Sequence, residues 1–422
     1  MRITQLESVD FPPFQDLKLD FRPTESKGKL AEVHLLTGVN GTGKTRVLSL
    51  LAAFLGNPAP LAIRFGPARD QISVKIQAGP TTRHLNGGVL LECYKDRRTV
   101  QRGASVQAPS EIFPEIDIIP ALAYSGGAYI TESSISIIEK VNLPERVRLL
   151  GFKKTATHNQ ILFQQLANIK FQGALDHLYG TAPDSKWNGI MQAIERSIRE
   201  ITGHEFSFHV QAQPEPKLSV NWRKIGSPLS VNLLPDGLRA LIGWMVDAAT
   251  MICLSNPNSE SPLSEPAIIL LDEPETHLHP AWQRMVLPVA QRLFPHAQIF
   301  VATHSPFIVS SVNEGWIHKL VLRDDGTVYA MEPKAAVPGD SFIDATEDDL
   351  GLGPKQWYDP ESEKLLTDFR EARESALAGD GAARAKAQEL GETIGSRGEQ
   401  LSNLVAAELA QLDRILTQRK SA

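Results

Sequence analysis

One stretch of eight residues, Gly38-Val39-Asn40-Gly41-Thr42-Gly43-Lys44-Thr45, constrains this chain more than any other. It lies between AEVHLLTG, an apolar run with the pattern of a buried strand, and KTRVLSLLAAFLG. In the latter, Val47, Leu50, Leu51 and Phe54 recur at helical spacing before a stop at Gly56. Strand, glycine-rich loop and helix, in that order, form the context that makes G-x4-G-K-[ST] a phosphate cradle. Glycine lets backbone N–H groups approach phosphate oxygens with no Cβ in the way. The amides of residues 41 to 45 then form an anion nest, reinforced by the dipole of the following helix. Lys44 would place a point charge on the β- and γ-phosphates of ATP, and the Thr45 hydroxyl would ligate Mg2+. Gly38, Asn40, Gly41, Thr42, Gly43, Lys44 and Thr45 are therefore the candidate nucleotide-binding residues.

Such a cradle needs an acidic strand end beside it. The stretch LLDEPETHLHP, 270–280, puts three carboxylates and two histidines within eight positions. Spacing alone leaves open a metal-ligand cluster, a proton-transfer pair, or the acidic half of a nucleotide site. With the cradle present, AIILLDE becomes an apolar strand that delivers Asp272 to the phosphates, where it would hold Mg2+ directly or through water. Glu273 beside it would orient or deprotonate the attacking water. His277 and His279, two apart in a loop, lack an evident third and fourth protein ligand, so loop or dimer-contact roles suit them better than a metal site. A third apolar strand, QIFVATHSPFIV, ends at His304, 32 residues beyond Asp272. There an imidazole can hydrogen-bond the γ-phosphate and report its presence.

Charge and cysteine content bound the rest. Forty-three Lys and Arg against 49 Asp and Glu give a formal charge of −6, with no global basic footprint and no long Lys/Arg run. DNA binding would need a local patch. Cys93 and Cys253 are too few for a disulfide framework and suit a reducing cytoplasm. The opening MRITQLESVDFPPF has no signal-peptide pattern, and no apolar run reaches the roughly 20 residues of a membrane span. A cytoplasmic protein with no membrane partner is expected.

At 422 residues more than one lobe is expected. Residues 1–130 read as strands around the cradle, and 131–206 as an inserted helical lobe (ESSISIIEKV, NQILFQQLANIKFQGALDHLYG, KWNGIMQAIERSIREITG). Residues 207–335 return to α/β logic, and 336–422 are helical and charged. In the tail, Leu401, Val405, Leu409, Leu412 and Leu416 share a face, which fits either packing on its own core or docking of a partner.

The order of cradle, helical insertion, LLPDGLRALIGW, LLDEPETHLHP and VATHSP resembles the ABC-type ATPases, above all their soluble branch with OLD-like (overcoming lysogenization defect) AAA domains. The ATPase subunits of Septu-type and retron-associated anti-phage systems belong there. The resemblance covers about residues 1–335. It implies an α/β fold: a P-loop ABC-type ATPase head with mixed sheet, inserted helical lobe and helical C-terminal tail. It further implies ATP and Mg2+ as cofactors, a homodimer or higher oligomer of heads, and a partner effector such as an HNH-type nuclease. His277 to Pro280 would lie at the dimer interface.

In the family a signature loop from the second head completes the site. Here it corresponds to Leu234-Pro235-Asp236-Gly237-Leu238-Arg239, with Asp236 and Gly237 facing the nucleotide and a helix start aimed at the γ-phosphate. The family has Ser where this chain has Pro235, which removes a hydroxyl and a backbone N–H. Each lost charge-assisted bond weakens binding by roughly 1.5–3 kcal/mol, so slow or partner-dependent hydrolysis is expected. Tyr124 to Gly127, in ALAYSGGAY, is the best location for a further nucleotide or lobe contact. Other assignments fit less well. An OLD-type nuclease needs a metal-binding domain that the tail has little room for, and LVLRDDG is its single candidate. A DNA-repair head of the structural-maintenance type needs long heptads leaving the insertion. A transporter subunit would not carry this signature and tail.

Overall fold

The computed structural model describes residues 2–11, 13–25, 29–55, 73–78, 81–86, 119–126, 148–149, 163–164, 166–167, 186–211, 217–223, 227–336, 345–346, 350 and 358–421. They divide into two compact units, Met1–Ala345 and Thr346–Ala422.

The first unit is organised by a sheet of twelve described strands. Its parallel half is built from β3 (Glu32–Thr37), β6 (Ala121–Ser125), β7 (Arg148–Leu149), β11 (Ala267–Asp272), β12 (Ala297–Ala302) and β13 (Gly315–Leu322). They lie in the order β13-β3-β12-β11-β6-β7. Every residue of β11 and β12 is buried, as the unbroken apolar runs AIILL and IFVA require of strands covered on both faces. The other half is antiparallel: β1 (Ile3–Phe11), β2 (Phe14–Asp20), β4 (Ser73–Ala78) and β5 (Thr81–Asn86), joined through β14 (Val328–Ala330) to β13. β15 (Lys334–Ala335) pairs with β13, and β8 (Phe206–Gln211), β9 (Lys217–Trp222) and β10 (Leu229–Ser230) form a separate small sheet. The fold class is the expected one, an α/β P-loop head with a mixed sheet.

Helix α1 (Lys44–Phe54) lays Val47, Leu48 and Leu51 against Leu36, Leu270 and Phe300, all fully buried. Each such side chain contributes about 1.5–3 kcal/mol of transfer free energy, which anchors the cradle at the helix start. Helix α2 (Lys186–Thr202) packs on α4 (Pro280–Leu293), within the same unit as the sheet. Of the expected helical insertion only residues 148–149, 163–164, 166–167 and 186–206 are described; residues 148–149 are not helical but form β7, paired parallel with β6, and Gly56 lies outside the described residues. Helix α3 (Asp236–Ser255) has the length and hydropathy of a membrane span, contrary to the sequence reading, but 89% of its apolar window is buried as core.

The second unit consists of α6 (Pro360–Leu377), α7 (Gly381–Gly395) and α8 (Glu399–Ser421). The first two helices begin at aspartate caps, Asp359 and Asp380, whose carboxylates accept N–H bonds of the first turn. Leu401, Val405, Leu409 and Leu412 pack inside this unit, on Leu366, Phe369 and Ala376 among others. The apolar face of the tail is thus taken up by its own helices, and the side chain of Leu416 lies outside the described set.

Candidate functional site

Parallel register brings four strand ends into line. Asp272 pairs with Ala302 and Ser125, and Ala302 pairs with Leu36. The chain beyond each end therefore emerges at the carboxyl edge of the sheet, the place where open α/β folds bind ligands. Leu36 leads into the cradle, Asp272 into Glu273, and Ala302 into Thr303-His304.

The cradle is shaped by glycines in backbone conformations that strain any other residue. Gly38, Gly41 and Gly43 have φ of 131°, 88° and 87°, a region that side-chain-bearing residues rarely adopt. At Gly38 a Cβ would also sit 2.2 Å from the Leu320 carbonyl oxygen. Asn40 is exposed at the loop tip, while Thr42 is buried and donates its hydroxyl to Val39 O at 2.9 Å. Lys44 is only 5% exposed. Its ammonium donates to Gly38 O at 2.9 Å and Val39 O at 3.1 Å. Burial lowers its pKa to about 8, against the upward pull of Glu273, Asp272 and Glu275. A lysine in that condition is protonated at neutral pH yet poorly solvated, and so stands to gain from an incoming anion.

Thr45 Oγ1 donates to Asp272 Oδ1 at 2.8 Å. A hydroxyl and a carboxylate in contact at a strand end are hard oxygen donors of the kind Mg2+ selects beside phosphates, so the residues fit that ion. Glu273 is exposed and holds φ at +52°, a left-handed conformation uncommon for a residue with a side chain. Its amide donates to Ala302 O at 2.8 Å, which ties the turn to β12. Gly126 lies beneath it: a Cβ there would overlap Glu273 O at 1.8 Å. The stretch Tyr124 to Gly126 thus supports the acidic turn, and Gly127 lies outside the described residues.

His304 is half-buried. Burial first, then the nearby Lys44 charge, hold its pKa below 6.5, against Glu273. The ring is therefore neutral at physiological pH. Lys44 feels the charges of Glu273 and Asp272, and His304 those of Lys44 and Glu273, across this edge.

The signature candidates sit elsewhere. At Gly237 a Cβ would come within 2.3 Å of His277 O, so the start of α3 abuts the loop after β11 rather than the cradle. Pro235 occupies the N-cap position and makes no side-chain capping bond; Asp236 pairs with Arg239. His279 caps α4, its Nδ1 accepting from Ala281 N at 3.2 Å, with Pro280 in the first turn. His277 has φ +63°. No cluster of three or more metal-ligating side chains occurs among the described residues.

One residue here escaped the sequence reading. Glu275 Oε1 accepts from Thr303 Oγ1 at 2.6 Å and from His304 N at 3.0 Å. Burial pushes its carboxyl up, against those two bonds. The available signal was a second glutamate two positions after Glu273, separated from it by a proline.

Residues 153–310 match the family model described as "AAA domain, putative AbiEii toxin, Type IV TA system". The chain is 32% identical over 136 residues to the Retron Vc95 probable ATPase of Vibrio cholerae serotype O1 biovar El Tor, covering 32% of this chain and 26% of that protein. It is 21% identical over 345 residues to the Septu protein PtuA of Bacillus mycoides strain KBAB4, covering 78% of this chain and 42% of that one. The matches thus span about a quarter and about two fifths of the length of these relatives. Among solved structures, a SmcHead bound to the C-winged helix domain of ScpA aligns with a TM-score of 0.44 at 11% identity, over 79% of this chain and 98% of that one. Part of the chain, residues 153–310, thus matches an AAA-type family model, and the chain is similar over the stated stretches to retron and Septu ATPases.

Proposed function

We propose that this protein binds and hydrolyses ATP as a dimeric switch whose closure controls a partner effector, in the manner expected of anti-phage ATPases. The observation that carries this reading is the alignment of Lys44, Thr45, Asp272, Glu273 and His304 along one sheet edge. Lys44 neutralises the β- and γ-phosphates while the amides of the glycine loop hold their oxygens. Thr45 and Asp272 would hold Mg2+, which supplies charge stabilisation at the transferred phosphoryl group. Glu273 orients the attacking water and takes its proton. Neutral His304 hydrogen-bonds the γ-phosphate without adding charge.

The turn at Glu273 is held in an uncommon backbone conformation, which supports a positional role. Asp236 and Gly237 of one head would face the nucleotide of the other. The abutment of Gly237 on His277 supports a single surface made of signature helix and post-strand loop. The effector is inferred by similarity to retron and Septu proteins, an HNH-type nuclease being the resemblance-based candidate, and DNA is a possible trigger or ligand. The donor-poor Pro235 cap supports slow or partner-dependent turnover.

The test is Glu273→Gln. General-base catalysis contributes roughly 100- to 10,000-fold, so turnover should fall at least 100-fold while ATP binding persists and ATP-bound dimers accumulate on size-exclusion chromatography. A wild-type hydrolysis rate in that variant would remove Glu273 from the mechanism. Failure of the wild-type chain to bind ATP would remove the mechanism itself.

A further inference from the structure

The strand end that carries His304 is held from one side by a small set of buried polar contacts. Glu275 Oε1 takes two hydrogen bonds, from the Thr303 hydroxyl at 2.6 Å and the His304 amide at 3.0 Å. Thr303 Oγ1 in turn accepts from Ser305 N at 3.0 Å. Ser305 donates its hydroxyl to Gln283 Oε1 at 2.6 Å, and Gln283 donates back to Leu278 O at 2.9 Å. Residues 303–305 are thereby strapped to the loop 275–278 by side chains on two elements. The residues on either side of His304 are fixed, while its own imidazole stays half-buried at the open edge.

We propose that Glu275 is the positioning residue for His304, setting the backbone from which the imidazole reaches the γ-phosphate. The proposal rests on the ATPase reading above. Glu275 acts through a lone pair on Oε1, since both bonds it makes are accepted there. Its other oxygen, Oε2, is buried with no hydrogen-bond partner. An amide in place of the carboxylate keeps the Oε1 acceptor, loses the charge and puts an N–H donor group at the buried Oε2 position.

The experiment uses the full chain with Glu275→Ala, Glu275→Gln and Thr303→Val, each alone and with His304→Ala. Without nucleotide, the His304 Cε1–H resonance and its titration read ring placement directly. In Glu275→Ala the resonance should broaden and titrate closer to 6.5, the ordinary histidine value. In Glu275→Gln both should stay as in the wild type, although the amide buried at the Oε2 position should lower the melting temperature. Under ATP, Glu275→Ala should lower kcat about 10- to 100-fold with ATP Kd unchanged. Glu275→Gln should restore turnover, and His304→Ala should add little to Glu275→Ala. Thr303→Val, which removes one of the two bonds, should fall between, and it keeps the test open if Glu275→Ala does not fold.

An unmoved His304 resonance in Glu275→Ala overturns the proposal. So does a Glu275→Gln chain as impaired as Glu275→Ala, which would make the charge the active feature, or losses that add to those of His304→Ala. A wild-type chain without ATPase activity would sink the function proposed above and leave the resonance measurement to decide Glu275.

Discussion

Two clusters of glutamate and histidine occupy the same sheet, and their surroundings give them opposite roles. At the carboxyl edge, buried Asp272 and Lys44 lie beneath an exposed Glu273 and a half-buried His304, which open the cluster to solvent. Within the sheet, Glu32, His34 and His318 form an interior network in which the buried His318 Nδ1 has no hydrogen-bond partner. His34 and His318 are fully buried. Glu32 accepts from Arg2 Nε and Nη2, each at 2.7 Å, from Gln298 Nε2 at 2.8 Å, and from His34 Nε2 at 2.6 Å. His34 Nε2 therefore carries a proton, which leaves its Nδ1 to accept from His318 Nε2 at 3.1 Å. Gln298 also bonds the backbone N–H and carbonyl of Ile3, both at 2.8 Å, so the network stitches β1 to β3 and β12. Polar groups enclosed within the sheet hold a fold together, whereas those at an open strand-end edge are placed where a ligand can reach them.

Lys44→Ala gives the largest expected effect on function. It removes the charge proposed to meet the β- and γ-phosphates, and ATP affinity should drop roughly 100-fold or more at 1.5–3 kcal/mol per charge-assisted bond. The same variant should melt at or above the wild-type temperature, because burial has pulled Lys44 down to about 8 and its charged form is disfavoured in the fold. Isothermal titration and a thermal melt check both halves. A large loss of stability would place Lys44 with the structural cluster.

Glu32→Ala should do the reverse. It strands Arg2, His34 and Gln298 without their common acceptor, and breaking such a buried charged arrangement costs about 3–5 kcal/mol. Denaturant unfolding should report that loss, while ATP affinity in the fraction that remains folded should stay within a few-fold of the wild type. Unaltered stability would show that the network is ornamental to the fold.

The edge cluster was legible in the sequence because each of its parts is local. Strand, turn and functional residue are contiguous in VHLLTGVNGTGKT, IILLDE and FVATHSP, and the motifs need only parallel pairing to converge. THSP also encodes its own exit: Ser305 caps a short helix, α5 (Pro306–Val309), with Pro306 in the first turn. Glu275 was not legible, because its partners Thr303 and His304 lie 28 and 29 positions away and meet it only once β11 and β12 are in register. The interior network was hidden for a similar reason. His34, His318 and Gln298 look like single polar interruptions in apolar strands, and only the order β13-β3-β12 makes them neighbours. The helical insertion, read from periodicity, lies mostly outside the described residues and neither sharpens nor blunts that lesson.

The smallest predicted effect is one of pH, and it separates the clusters by degree. Burial holds His34 below 6.5 and His318 well below it. The folded chain keeps both neutral, while the unfolded chain protonates them as pH falls through 6.5. More protons bind the unfolded state in that window, so stability must decline as pH drops below 6.5. The slope is at most about 1.4 kcal/mol per pH unit for each histidine. Glu32, held below 4.5 by His34 and Arg2 against its burial, continues the decline at lower pH. His304 is lowered too and contributes with the same sign, but water screens its half-buried ring and its share is smaller. Urea unfolding at pH 7.5, 6.5 and 5.5 should therefore flatten clearly in His318→Phe and only slightly in His304→Ala. Equal flattening would mean that the edge is as closed as the interior, and the contrast between the two regions would fail.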